Sequence, residues 1–240
     1  MKKHVKKKRW FGYAISALWI SSMAIAGFFT PYFIDNISFF KIRALHIEGL
    51  ENIPSEVIVE EVRKLKNNWL FINRAILLKN INDVTNNSVS NLELSKNFSS
   101  GGVELKLKIE ERKPIFTAIK DDEVVFFDKS GTRFYSPYIP HTNLIVYTHE
   151  IELINKNFEN LKNLVDIIGD DLKEVYITNL ATIAYTEDGV KITLPPLFLL
   201  NRNLVENVAI IRMGYNINLN IKEMEINTEG VVIIRGGEER

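Results

Sequence analysis

Between Trp10 and Phe29 the chain runs Trp10-Phe-Gly-Tyr-Ala-Ile-Ser-Ala-Leu-Trp-Ile-Ser-Ser-Met-Ala-Ile-Ala-Gly-Phe-Phe29 without a charged residue. At roughly 1.5 Å per residue a helix of this length measures about 30 Å, the depth of a bilayer hydrocarbon core. Trp10 and Tyr13 lie near one end, Tyr32 and Phe33 near the other, where amphipathic rings favour the membrane interface. Ala24-Ile25-Ala26 ahead of Gly27 has the small-x-small pattern of a cleaved signal peptide. The apolar stretch continues through Phe28, Phe29 and Phe33, longer than a signal h-region, which favours an uncleaved anchor over residues 10–34.

Beyond the anchor the pattern changes from continuous to periodic. Residues 39–49 alternate through Ile42, Ala44 or Leu45, and Ile47, predicting a half-buried strand that ends at Gly49. Pro54-Ser55 opens a helix with Ser55 as its N-cap, and Ile58, Val62 and Leu65 recur at helical spacing. Trp69-Leu-Phe-Ile72 is an apolar plug, and Asn73 caps a second helix through Leu77 and Ile81. Val89–Leu94 predicts a strand, and Val103–Glu110 a clearer one, with Val103, Leu105, Leu107 and Ile109 on one face. That alternation predicts an antiparallel sheet with one wet face. Strand, helix, helix, strand, strand over residues 39–112 describes a small α+β module.

A second module, residues 113–235, precedes a charged tail at 236–240. Ile115–Ile119 and Val124–Phe127 flank a polar hairpin turn, and Asp128-Lys-Ser-Gly131 turns the chain again before Arg133-Phe-Tyr135. Asn155 is placed to cap a helix that turns Phe158, Leu161, Val165 and Ile168 inward and ends at Gly169. Strands at Val175–Ile177, Ala181–Thr186 and Val190–Leu194 follow, the last two joined by Glu187-Asp-Gly189. After Pro195-Pro196 a helix carries Leu204, Val208 and Ile211. Met224–Asn227, a turn at Thr228-Glu-Gly230, and Val231–Ile234 complete the pattern. The expected whole is α+β: one membrane helix, a small β-α-α-β-β module, and a larger, mostly antiparallel β domain with packed helices.

Charge sharpens this picture. The net charge is zero, yet residues 1–9 carry six cations (Lys2, Lys3, Lys6, Lys7, Lys8, Arg9) and no acid. Setting those six aside leaves 24 basic against 30 acidic residues, a net −6 that ill suits a phosphate-binding body. Lysines on one side of an apolar span place that end in the cytoplasm and the bulk of the chain outside it. The absence of cysteine excludes disulfides, thiolate nucleophiles and cysteine-based metal sites.

No carrier of catalysis emerges. There is no HExxH, nucleophile elbow or Ser-x-x-Lys pattern, and no glycine loop to cradle phosphate. His46 falls in the first strand, and His141 and His149 in or beside an irregular stretch without carboxylates in register for a metal. Asp121-Asp122 and Asp170-Asp171 both fall where turns are expected. The expectation is a protein that is not an enzyme, with no cofactor and no metal. What remains is strand edges: Val231–Ile234 reads either as an interior strand or as an exposed edge that accepts a partner strand. On the second reading a proline at Ile233 removes a ladder donor.

The order of parts resembles the FtsQ/DivIB family of bacterial division proteins, over essentially the whole chain. Phe40–Gly49 resembles that family's opening POTRA strand, and Trp69–Asn73 the segment between the POTRA helices. Val103-Glu-Leu-Lys-Leu-Lys-Ile-Glu-Glu-Arg-Lys-Pro114 resembles the closing POTRA strand with its Glu-Arg-x-Pro exit. Phe126–Gly131 and Thr186–Ile192 are similar to hairpins of the family's β domain. The arginine and proline expected near Ser95–Gly102 are not evident, and the pattern before the last strand appears only as Lys222-Glu-Met-Glu-Ile226. The resemblance implies a non-enzymatic scaffold of the inner membrane at the division septum, linking early and late division proteins. It implies FtsB- and FtsL-like partners, with no nucleic acid and no small-molecule substrate. It also implies a partner-binding edge at Met224, Ile226, Val231, Val232, Ile233 and Ile234, and a second at Ile42, Leu45 and Ile47. Rival readings are a POTRA-bearing secretion or outer-membrane assembly component, from which a run of barrel strands is missing, and a membrane-tethered cell-wall hydrolase.

Overall fold

A computed structural model describes residues 3–36, 41–65, 72–99, 101–215 and 221–236. The chain is mixed α+β and divides into two compact units. The first comprises Met1–Leu50, Pro54–Ile81 and Asn91–Glu110; the second comprises Glu51–Ile53, Asn82–Ser90 and Glu111–Arg240.

The first unit begins with α1, Lys3–Asn36, whose segment Trp10–Thr30 is long and apolar enough to cross a membrane. All of Trp10–Thr30 is exposed, as an apolar helix without protein cover must be. Then come β1 (Ile42–Glu48), α2 (Ser55–Lys64), α3 (Arg74–Val84), β2 (Val89–Ser99) and β3 (Gly102–Glu111), with strand order β1-β3-β2. The apolar stripes account for the core. Ile58, Val62, Leu77 and Ile81 of the helices are buried, as are Val103, Leu105, Leu107 and Ile109 of β3. Burial of each such side chain contributes about 1.5–3 kcal/mol.

Three details depart from the pattern reading, and one ambiguity in it is explained. β1 runs parallel to β3, not antiparallel; alternation reports a wet face, not strand direction. The ambiguity between Ala44 and Leu45 has a cause, because the β1–β3 register shifts between Ile42 and Ala44. The N-cap of α2 is Pro54, with Ser55 already helical and no side-chain cap bond. β2 runs past Leu94 as far as Ser99. Asn73 does cap α3, its Oδ1 accepting from the Ala75 N–H at 2.8 Å. In the apolar plug only Ile72 lies within the described residues, and it is buried.

Gly49 ends β1 with φ +85°, and a Cβ there would collide with the Ile109 carbonyl oxygen. Only glycine permits both the left-handed backbone and this approach.

The second unit is built on one nine-stranded sheet, order β12-β11-β10-β9-β8-β7-β4-β5-β6. Its strands are β4 (Pro114–Lys120), β5 (Glu123–Asp128), β6 (Arg133–Phe134), β7 (Ile145–Thr148), β8 (Leu172–Ile177), β9 (Thr182–Thr186), β10 (Lys191–Leu194), β11 (Ile221–Ile226) and β12 (Val232–Gly236). The hairpins are antiparallel, whereas β4–β7, β7–β8 and β10–β11 are parallel. Parallel neighbours need a crossover. Between β7 and β8 it is α4 (Ile151–Lys156) and α5 (Phe158–Ile168); between β10 and β11 it includes α6 (Arg202–Tyr215). One hydrophobic core joins Phe116, Phe127, Val146, Val175, Ala184, Ile192 and Met224 of the strands to Leu161, Leu164, Val205 and Val208 of the helices. Phe116 stacks on Phe127 with ring centroids 5.1 Å apart.

β7 has no forecast in the apolar pattern, because the short run Ile145–Thr148 gives too weak a signal. Asn155 lies inside α4, and the residue before α5 is Asn157. In α5 Leu164 is fully buried and Val165 only half so. Gly169 does end the helix, with φ +71°.

Candidate partner-binding edge

β12 closes one side of the large sheet, so among the described residues its outer backbone edge has no neighbouring strand. The β11–β12 hairpin is set by its turn. Asn227 Oδ1 accepts from the Glu229 and Val231 N–H groups, and the Asn227 N–H donates to the Val231 carbonyl at 3.1 Å. Gly230, at φ +83°, completes the reversal.

That turn also fixes the ladder phase. Opposed residues in an antiparallel pair alternate between bonding each other and pointing away. Asn227 and Val231 bond, so the next pair, Ile226 and Val232, points outward. Glu225 and Ile233 then bond, and Met224 and Ile234 point outward. The main-chain groups offered at the edge therefore belong to Val232 and Ile234. The N–H of Ile233 faces β11, so Ile234, not Ile233, is the site for a proline that removes a donor at the free edge.

Side chains follow the other alternation. Val232 and Ile234 pack against the core, while Ile233 stands 50% exposed on the opposite face. Val231, just ahead of β12, is 55% exposed. Met224 and Ile226 are buried, at 1% and 4% exposure. Their side chains face the core and cannot meet a partner, which corrects their assignment to the edge.

On the face shared with Ile233 an ion-pair lattice crosses three strands. Glu223 lies between Lys191 of β10 at 2.9 Å and Arg235 of β12 at 3.0 Å, and Arg235 also reaches Glu225 at 3.6 Å. The Lys191 hydrogen bond, followed by that of Arg235, holds the Glu223 carboxyl below its ordinary value. Nearer the sheet centre, Tyr147 stacks on Tyr176 at 4.7 Å, and Tyr176 meets Tyr185 edge-on at 5.8 Å. A hydrogen bond donated to Glu174, with burial adding to it, pushes the Tyr176 hydroxyl up to about 12. Neither the tyrosine row nor the lattice was legible in the sequence, where the signal amounts to polar residues two apart in strands whose pairing was unknown.

β1 borders the three-stranded sheet, so Ile42, Leu45 and Ile47 also lie on an edge strand. Ile42 is buried and Leu45 and Ile47 half-buried. Of the basic cluster, Lys3, Lys6, Lys7, Lys8 and Arg9 are within α1; Lys2 lies outside the described residues.

No family model matches the chain. It is similar to an uncharacterized protein of Aquifex aeolicus (strain VF5), 24% identical over 206 residues, an alignment covering 85% of this chain and 91% of that one.

His46, His141 and His149 are all exposed, and His141 stands against Phe126 with ring centroids 5.8 Å apart. Asp121, at φ +50°, sits in the β4–β5 turn as expected. Asp171 does more than cap a turn: with Asp188 it flanks Arg212, a buried cation on α6, at 3.2 and 3.1 Å. Arg112 pairs with Asp128 at 2.6 Å, and the same carboxylate accepts from the Ser130 and Thr132 N–H groups. These charges hold turns in place. A nucleophile with an adjacent base is not formed by any of them.

Proposed function

We propose that this chain is a single-pass scaffold of the FtsQ/DivIB type, anchored by α1 and capturing a partner strand on the free edge of β12. On this reading the basic end of α1 lies in the cytoplasm, residues 39–112 form a POTRA-like module, and residues 113–235 form the β domain. The protein sits in the inner membrane at the septum and engages FtsB- and FtsL-like proteins without catalysis. The observation that carries the reading is the terminal place of β12 in the nine-stranded sheet, with Val232 and Ile234 offering main-chain groups away from β11. Strand addition draws affinity from such groups and specificity from alternate side chains. The β-α-α-β-β order of the first unit and the exposed apolar span add support. Anchoring also confines chain and partner to one surface, which raises their effective concentration.

The test is co-purification of FtsB- and FtsL-like proteins from dividing cells. Ile234→Pro removes one edge donor while leaving the Glu225–Ile233 bonds to β11, and should abolish capture. Ile233→Thr keeps every ladder bond and should retain most of it. Undiminished capture by a folded Ile234→Pro protein would reject the edge.

A further inference from the structure

α1 does not begin where the apolar span begins. It runs as one helix from Lys3 to Asn36, 34 residues in all. At roughly 1.5 Å per residue its length is about 51 Å. The apolar part, Trp10–Thr30, has 21 residues. By the same rise it accounts for about 31 Å. The two turns ahead of Trp10 hold Lys3, Lys6, Lys7, Lys8 and Arg9. Along the axis all five lie within about 10 Å of Trp10. At about 100° per residue these positions are distributed around the whole circumference, so they form a collar and not a stripe.

Such a collar is electrostatically uphill by itself. The amino-terminal end of a helix carries partial positive charge, and like charges three or four residues apart, such as Lys3 with Lys6 and Lys7, repel. No acidic residue relieves this: the first in the chain is Asp35, at the far end of α1. The compensating negative charge must come from outside the helix. Beside an apolar span, the anionic groups at that depth are phospholipid headgroups, whose layer lies just beyond the hydrocarbon. A cluster of several cations flanking a span is the arrangement that attracts acidic lipids.

We propose that the collar Lys3–Arg9 binds the phosphate groups of anionic phospholipids and gathers them around the inner end of α1. The inference rests on α1 spanning the bilayer, and the experiment separates the two. The full chain carries three tryptophans, Trp10, Trp19 and Trp69; changing Trp19 and Trp69 to Phe leaves Trp10 as the reporter beside the collar. This protein is placed in phosphatidylcholine vesicles in which a fixed fraction of lipid is replaced by brominated phosphatidylglycerol or by brominated phosphatidylcholine. Quenching of Trp10 should report at least about threefold enrichment of the anionic lipid over its bulk fraction. The fourfold variant K6Q/K7Q/K8Q/R9Q should bring the enrichment close to unity. Equal quenching by the two lipids in the unaltered collar would overturn the proposal. So would loss of the preference on adding millimolar inorganic phosphate, which would mark a site for free anions. No quenching by either lipid would overturn the membrane span, and the collar with it.

Discussion

Glu111, at the end of β3, offers the sharpest test of the physical reading of this fold. It is 5% exposed, and its carboxylate gathers the main chain of Glu51–Ile53. One oxygen accepts from the N–H groups of Glu51, Asn52 and Ile53 at 2.9, 2.9 and 2.8 Å. The other accepts from the Asn52 N–H and side-chain amide, both at 3.0 Å. Burial alone would raise this carboxyl; the donors of Ile53, Asn52 and Glu51 together outweigh it and hold the group below its ordinary 4.5. Hydrogen bonds to a charged group contribute about 1.5–3 kcal/mol each and are not additive. Glu111→Gln keeps the bonds of one oxygen but sets an NH2 group against the Asn52 donors and removes the charge. We expect a loss of about 2 kcal/mol, or roughly 4–8 °C in melting temperature for a body of this size. In hydrogen exchange of the full chain, protection at the Glu51–Ile53 amides should fall about thirtyfold. The pH dependence has a definite sign. Because the folded carboxyl is depressed, its stabilisation is fully present above about 4.5 and is lost as pH falls through the lowered value. Glu111→Gln should show no such loss. Wild-type protection at these amides in the Gln protein would refute the reasoning.

Three further substitutions test other parts of the fold. Gly49→Ala places a methyl group against the Ile109 carbonyl at positive φ and should cost at least about 1–3 kcal/mol, read by urea unfolding. Arg212→Met empties the cation between Asp171 and Asp188; a loss of about 1–3 kcal/mol is expected, and unchanged melting would show that α6 and the β9–β10 hairpin do not need it. Asn73→Ala removes the cap of α3 and should cost about 1 kcal/mol, with amide exchange quickened in the first turn of α3 alone.

Features with a local cause were legible in the sequence. The apolar span needed only the absence of charge over a bilayer's length. The hairpins at Asp121, Glu187-Asp-Gly189 and Thr228-Glu-Gly230 announced themselves by turn chemistry, and the α3 cap by Asn73. Features that depend on which strand meets which were not. β7 is too short to stand out, yet it carries two parallel pairings at the middle of the sheet. The partners of Glu111, Arg112 and Arg212, namely Asn52, Asp128 and Asp188, lie far from them in the chain, and only the fold brought them together.

The candidate edge divides in the same way. Alternation alone marked Val231–Ile234 as a strand and left open whether it lay inside the sheet or at its border, because a strand has the same period in either place. Pairing order put β12 last, buried Met224 and Ile226, and, through the hydrogen bonds of one turn, chose Val232 and Ile234 as the residues whose backbone faces outward. By itself the sequence determined the apolar helix, its cationic end and an α+β body, since these follow from residues near one another in the chain. Only tertiary structure decided strand neighbours, direction and ladder phase, because those are set by contacts between residues far apart in sequence.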